Sequence, residues 1–284
     1  PLDDFLHVKS PHYFAEAHPG ENQRQFVDRL LADLEARILI EGPETIAAFF
    51  SEPVLAAGGV IVPPDGYFEG AQEILRKHDI LLVVDEVVTA FGRTGSMFGT
   101  TRMASNPDLI ILAKGLTSAY IPMSALLLNA RVFPAISEYS GRLGIFGLTL
   151  TYSGHPVAAA VAREAIAIYE DLALADRAKA LELVLMNGLR DKLGSHPNVG
   201  DIRGVGLLAG VHLVARRGPL TLFEAPVSFG ARVAALAEDN GLILRAIGDV
   251  IAICPPLVID ENEIGMLIDR LTRAIEQAAD ELAA

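Results

Sequence analysis

Two apolar runs that each stop on a charged residue constrain this chain more than any other feature. Ile80-Leu81-Leu82-Val83-Val84 ends at Asp85-Glu86, and Leu109-Ile110-Ile111-Leu112-Ala113 ends at Lys114-Gly115. Short unbroken apolar runs read as strands buried on both faces. Each would deliver one charged side chain at its C-terminal end. In an open α/β sheet that edge is where ligands bind.

The rest of the chain supplies elements for such a sheet. Residues 1–20 read as loop. Residues 21–41 read as an amphipathic helix, with Phe26, Leu30, Leu31, Leu34 and Ile38 at helical spacing. Ile46–Phe50 is a short strand candidate that runs into Ser51-Glu52-Pro53. Residues 65–78 read as a helix with Asp65 as its cap, followed by the strand at 80–84. Phe91-Gly92-Arg93-Thr94-Gly95 is a turn-rich loop. The strand at 109–113, the Lys114 loop and a strand at 122–128 come next. Residues 129–150, with Gly141, Gly144 and Gly147, read as mobile loops. A Pro-started helix at 156–171 and another at 173–193 follow. Beyond them lie short strands at 202–214 and 241–259, a helix near 226–239, and a closing helix at 260–282 opened by Asp260. Alternating strands and helices up to residue 171 favour a parallel sheet. The expected architecture is therefore α/β: a large domain with a mostly parallel sheet over 1–171 and a smaller α+β domain over 172–284.

Composition removes several function classes. A net charge of −13 argues against a nucleic-acid backbone or an anionic membrane as the main partner. No apolar run reaches bilayer-spanning length. The start, Pro1-Leu2-Asp3-Asp4-Phe5, lacks a signal-peptide pattern and an initiator Met, so a longer natural protein is expected. The single cysteine, Cys254, excludes an internal disulfide and any multi-cysteine metal site. It points to a reducing, cytoplasmic location, and its neighbours Ile253 and Pro255 suggest a small core residue. The histidines lack metal-ligand spacing. Gly204-Val205-Gly206 has no helix after it to make a nucleotide-binding turn, and no Gly-x-Ser-x-Gly elbow occurs.

An amine and a carboxylate on one sheet edge suit pyridoxal phosphate (PLP) chemistry. The lysine forms a Schiff base and the aspartate pairs with the ring nitrogen. At about 4 Å and an effective dielectric of about 20, such a pair contributes ~4 kcal/mol. That is equivalent to roughly three pKa units on the ring. Asp85 could equally cap a helix or pair with an arginine, and Lys114 could be a surface lysine after a strand. The apolar residues before it and Gly-Leu-Thr after it suggest instead a partly desolvated, competent amine. Glu52 reads either as a loop carboxylate or as a group orienting Asp85 or the cofactor.

Several segments then resemble class III aminotransferases. Val84-Asp85-Glu86-Val87-Val88-Thr89-Ala90-Phe91-Gly92-Arg93-Thr94-Gly95 resembles the cofactor-ring motif of that family. Pro107-Asp108-Leu109 through Lys114-Gly115-Leu116 resembles its Schiff-base segment. Thr151-Tyr152-Ser153-Gly154-His155-Pro156 is similar to the segment that contributes a phosphate ligand across the dimer. Asp201-Ile202-Arg203-Gly204-Val205-Gly206 and Pro255-Pro256-Leu257 match further landmarks. The resemblance implies a fold-type-I, PLP-dependent enzyme working as a homodimer with shared active sites. It moves an amino group from an amine or ω-amino acid to a keto acid such as pyruvate. Lys114 would hold PLP and Asp85 would pair with its pyridinium nitrogen. Val87 would pack on the ring and Thr151 would bind the phosphate of the neighbouring subunit's cofactor. Glu52 would support the site, and Arg245 would take substrate carboxylates. No metal is implied.

Three departures refine the resemblance. Ala57 stands where the ornithine and 4-aminobutyrate enzymes carry a glutamate that masks an arginine, and Ala252 stands where they carry that arginine. Both steer towards an ω-amine or β-alanine type using pyruvate. Leu148-Thr149 replace a common His-Gly. The resemblance also begins about a third of the way into the family's chain, beyond its glycine- and serine-rich phosphate cup. A chain produced alone is thus expected to aggregate or to need the rest of the protein. An aminomutase or racemase of the same fold would use the same Lys114 and Asp85, and a non-catalytic fragment would show no PLP spectrum.

Overall fold

The two apolar runs become neighbouring parallel strands. In the computed structural model, which describes residues 5–148, 150–224 and 228–283, the chain divides into two compact units. The first comprises Pro1–Pro53, Pro63–Phe91 and Phe98–Leu172, the second Val54–Val62, Gly92–Met97 and Ala173–Ala284.

The first unit runs α1 (Tyr13–Glu16), α2 (Gln23–Glu41), β1 (Ala48–Ser51), α3 (Tyr67–Lys77), β2 (Leu81–Asp85), α4 (Gly99–Arg102), β3 (Leu109–Leu112), β4 (Ala125–Leu128), α5 (Phe133–Leu143) and α6 (Pro156–Asp171). The sheet order is β1-β2-β3-β4. β1, β2 and β3 are parallel, with Phe50 opposite Val83 and Asp85 opposite Ile111. β4 is antiparallel to β3, pairing Ala125 with Leu112, so the segment carrying Lys114 turns the chain back on itself.

Asn22 starts α2 with a capping box. Its Oδ1 accepts the Gln25 N–H at 3.0 Å, and Gln25 Oε1 accepts the Asn22 N–H at 3.0 Å. Leu34 and Ile38 of α2, Ala71 and Leu75 of α3, and Ile80, Leu82 and Val84 form one buried cluster. This cluster covers one face of the sheet, and each fully buried Leu or Ile in it contributes about 1.5–3 kcal/mol.

The structure departs from the sequence expectations in four places here. α1 interrupts the expected N-terminal loop. α3 is capped by Gly66, in the left-handed region at φ 86°, and not by Asp65. β4 runs against the parallel strands and begins at Ala125, not at residue 122. α5 forms where mobile loops were expected, with Pro134 in its first turn, a position that Pro's fixed φ favours.

The second unit runs α7 (Leu174–Leu193), β5 (Val199–Val205), β6 (Leu208–Leu213), β7 (Arg216–Arg217), β8 (Leu220–Thr221), α8 (Phe229–Asp239), β9 (Arg245–Ile247), β10 (Val250–Ile253) and α9 (Glu261–Ala283). Four strands form an antiparallel sheet in the order β5-β6-β10-β9. Leu185 and Leu189 of α7, Val233 of α8, and Ile264, Leu271 and Ile275 of α9 pack with Val211, Ile251 and Ile253 in one core. Two arginines tie remote segments into this unit. Arg203 donates from Nε to the Val60 carbonyl at 2.8 Å and to the Gly59 carbonyl, and pairs with Asp201 at 2.6 Å. Arg93 donates to the carbonyls of Leu207 and Pro255.

Cys254 is exposed, not the core residue expected. Cys254 lies just past the end of β10, whose Ile251 and Ile253 fill the core. Gly204 and Gly206 belong to the β5–β6 hairpin, as their lack of a following helix implied. Among the described residues no helix is long and apolar enough to cross a membrane.

Candidate active site

β1, β2 and β3 point the same way, so their C-terminal ends share one edge. Glu52 follows β1, Asp85 closes β2, and Lys114 follows β3 after Ala113. Asp85 is half-buried. Its Oδ1 accepts the Val87 N–H at 2.8 Å, an Asx-type turn that fixes the carboxylate at the strand end. Among the described residues Asp85 Oδ2 and Lys114 Nζ make no hydrogen bond or ion pair. Lys114 is exposed, more open than its apolar approach suggested, because β3 ends at Leu112 and a 3-10 turn over Lys114–Thr117 leads the chain off the edge. Its φ is 41°, a left-handed value rare for a side chain of this size and found where surroundings impose it.

A buried group that the sequence did not single out ties the ends of β2 and β3 together. Glu86 is fully buried. Its carboxylate accepts the Thr89 hydroxyl at 2.6 Å, the Gly99 N–H at 2.8 Å and the Thr100 N–H at 2.7 Å. Its own N–H bonds the Ile111 carbonyl at 3.0 Å, so it continues the β2–β3 ladder directly after Asp85. Gly99 permits this close approach: a Cβ there would lie 2.9 Å from both Pro53 Cβ and Thr89 Cβ. The charge of Glu86 was visible, but its three donors are three to fourteen residues away.

Val87 is half-buried, directly after the Asp85 turn, and Glu52 is half-buried beside buried Pro53. The first unit thus brings Glu52, Asp85, Val87 and Lys114 to one edge. Thr151 lies in the exposed turn before α6; Thr149, part of the Leu148-Thr149 departure, lies outside the described residues. Arg245 belongs to the second unit. It opens the edge strand β9, is exposed, and stands directly opposite Ala252 of β10. It lines an open groove of about 630 Å³ with Leu242, Cys254, Met266 and Arg270. Ala57 is exposed in the 54–62 segment.

The donor set fits an aldehyde-bearing heterocycle. Among the described residues it offers an unpaired amine, and on the adjacent strand a carboxylate with one oxygen unused. No group of three His, Cys, Asp or Glu among the described residues could hold a metal ion.

Comparison with known proteins gives a consistent result. A family model described as aminotransferase class-III matches residues 3–275. An uncharacterized aminotransferase, y4uB, of Sinorhizobium fredii is 41% identical over 99% of this chain and 61% of its own length. Gamma-aminobutyrate transaminase 1, mitochondrial, of Oryza sativa subsp. japonica is 42% identical over 100% of this chain and 55% of its own. The omega transaminase from Pseudomonas jessenii in complex with PMP is 46% identical, covers 100% of this chain and 62% of its own, and superposes with a TM-score of 0.97. The chain therefore spans roughly three fifths of these relatives' length.

Proposed function

This chain belongs to the class III aminotransferases, and from that premise we propose that its protein is a PLP-dependent transaminase. It moves an amino group from an amine or ω-amino acid to a keto acid such as pyruvate. One observation carries the reading: adjacent parallel strands lead, at the same edge, to an amine and a half-satisfied carboxylate that have no further partner among the described residues.

Lys114 Nζ would hold PLP, and Asp85 Oδ2 would accept the ring N–H. PLP, when bound, supplies a cationic ring into which electrons released at the substrate carbon can move. Lys114 Nζ would take the proton from that carbon and return it to the product position, one group serving both transfers. Asp85 would keep the ring protonated by charge pairing. Val87 would pack against the ring, and Glu52 would support the edge. The first unit would be the cofactor-binding part of this chain, carrying the contacts made by Glu52, Asp85, Val87 and Lys114.

Arg245 would take the substrate carboxylate. Its cross-strand partner Ala252 supports this, because two arginines directly opposite on one face of an antiparallel pair repel. An arginine at 245 and one at 252 are alternatives, and this chain carries the first. That favours an amine or β-alanine type donor, while the rice relatives' name adds gamma-aminobutyrate to the candidates. Turnover with pyruvate and each donor separates them.

Two copies would complete the site, with Thr151 binding the phosphate held by the other. Tyr139, Ile145, Phe146, Leu148, Leu150 and Tyr152 are each more than half exposed. An apolar stretch of this extent supports an interface around Thr151. Lone Cys254 fits a reducing compartment such as the cytoplasm, although the rice relatives are named mitochondrial.

The same Lys114 and Asp85 would serve an isomerase; the relatives' names speak for transfer. The test is borohydride reduction of the chain mixed with PLP, followed by peptide mass mapping. The mass of reduced PLP is expected on Lys114 and is lost in Lys114→Ala. Label retained by that variant, or found elsewhere in the native chain, overturns the assignment. Release of a free carbonyl product from amine alone separates the transferase from an isomerase.

A further inference from the structure

The turn that carries Lys114 is fixed by a residue on a distant helix. Three non-glycine residues within six positions are left-handed there: Lys114 at φ 41°, Ser118 at 50° and Ala119 at 64°. Such a segment needs restraint from outside itself. The one residue in it with free choice of backbone conformation is Gly115, directly after the lysine. Free rotation at Gly115 would let the turn change course directly after Lys114.

Gly115 is held on two sides. Its carbonyl accepts the Tyr169 hydroxyl at 2.7 Å and the Ser118 N–H at 3.2 Å. Its Cα lies against the Phe91 ring so closely that a Cβ would meet Phe91 Cδ2 at 2.9 Å. Phe91 and Tyr169 in turn pack ring to ring, with centroids 5.9 Å apart. Tyr169 comes from α6, whose buried face is otherwise alanine: Ala158, Ala162 and Ala165. Those small side chains let the helix approach, and Tyr169 alone reaches out with a donor. Phenylalanine would fill the same space, so packing by itself does not call for the hydroxyl.

We propose that Tyr169 is a positioning residue for Lys114: by locking the Gly115 carbonyl it fixes the direction in which the amine leaves the sheet edge. The proposal rests on the reading of Lys114 as the PLP-binding amine. Small errors in the placement of a reacting group are costly in rate.

The test compares the native chain with Tyr169→Phe and Phe91→Leu. Three quantities are measured: the rate at which PLP becomes borohydride-trappable on Lys114, amide exchange at Ser118, and the melting temperature. Tyr169→Phe is expected to slow trapping roughly tenfold and to speed exchange at Ser118, with little change in melting. Phe91→Leu, which loosens the same turn from its other side, moves exchange in the same direction. Trapping and exchange at native rates in Tyr169→Phe overturn the proposal, as does slowing matched by a drop in melting temperature. If the native chain traps no PLP, the reading of Lys114 as the PLP-binding amine of this chain fails. Exchange at Ser118 then decides the role of Tyr169 alone.

Discussion

Glu86 shows how much one residue can carry without touching a substrate. Its carboxylate is the acceptor for three buried donors, and removing it leaves each of them unsatisfied at roughly 1–3 kcal/mol apiece. Glu86→Ala is therefore expected to cost at least about 3 kcal/mol, read as a lower urea midpoint. Glu86→Gln keeps one acceptor and costs less. His212, half-buried on β6, offers a pH-dependent counterpart. Burial first, and the Arg203 charge second, push its imidazole below the usual 6.5. The folded state therefore prefers the neutral ring. Its contribution is complete above pH 6.5 and is lost as pH falls through the lowered folded value. Denaturation midpoints should thus decline on acidification below pH 6.5, and His212→Gln should flatten that decline. An unchanged slope in the variant would remove His212 as its source.

Among the elements, α9 was the easiest to read and α5 the hardest. Ile264, Leu267, Ile268, Leu271, Ala274, Ile275 and Ala278 repeat at helical spacing and are all buried. Asp260 and Glu263 close a capping box, each accepting the other's N–H, at 2.8 and 2.9 Å. Asp260→Ala should cost about 1 kcal/mol and Leu271→Ala about 2–5 kcal/mol, both measured by thermal or urea unfolding. α2 was legible for the same reason, a single buried stripe, and α6 from its proline start. α5 buries none of its residues, so no apolar period marked it. The direction of β4 was hidden because an apolar run looks alike in either orientation. At the site, Lys114 and Asp85 stood out because strand ends are visible as the end of apolar runs. Glu86, Phe91 and Tyr169 did not, since their roles arise from partners brought close only by folding. Tyr169 is fifty-four residues from its acceptor.

For the whole molecule, the net charge of −13 and an isoelectric point near 4.9 set its colloidal behaviour. Solubility should fall to a minimum near pH 4.9 as self-repulsion vanishes, which turbidity against pH would show. At neutral pH the exposed stretch around Thr151 should draw two copies together. Paired Ile145→Asp and Phe146→Asp changes are expected to halve the mass seen by light scattering; an unaltered mass would exclude this surface from the interface. The path of the chain carries one more lesson. The second unit borrows Val54–Val62 and Gly92–Met97 from far upstream, and Arg203 is spliced to the first of these by Gly59 and Val60. Scissors applied after Leu172 would release a piece whose guanidinium had lost both of those carbonyls. The two halves are interlaced like threads in one fabric. A single crossover after Leu172 would hand on the second unit without two of its own segments.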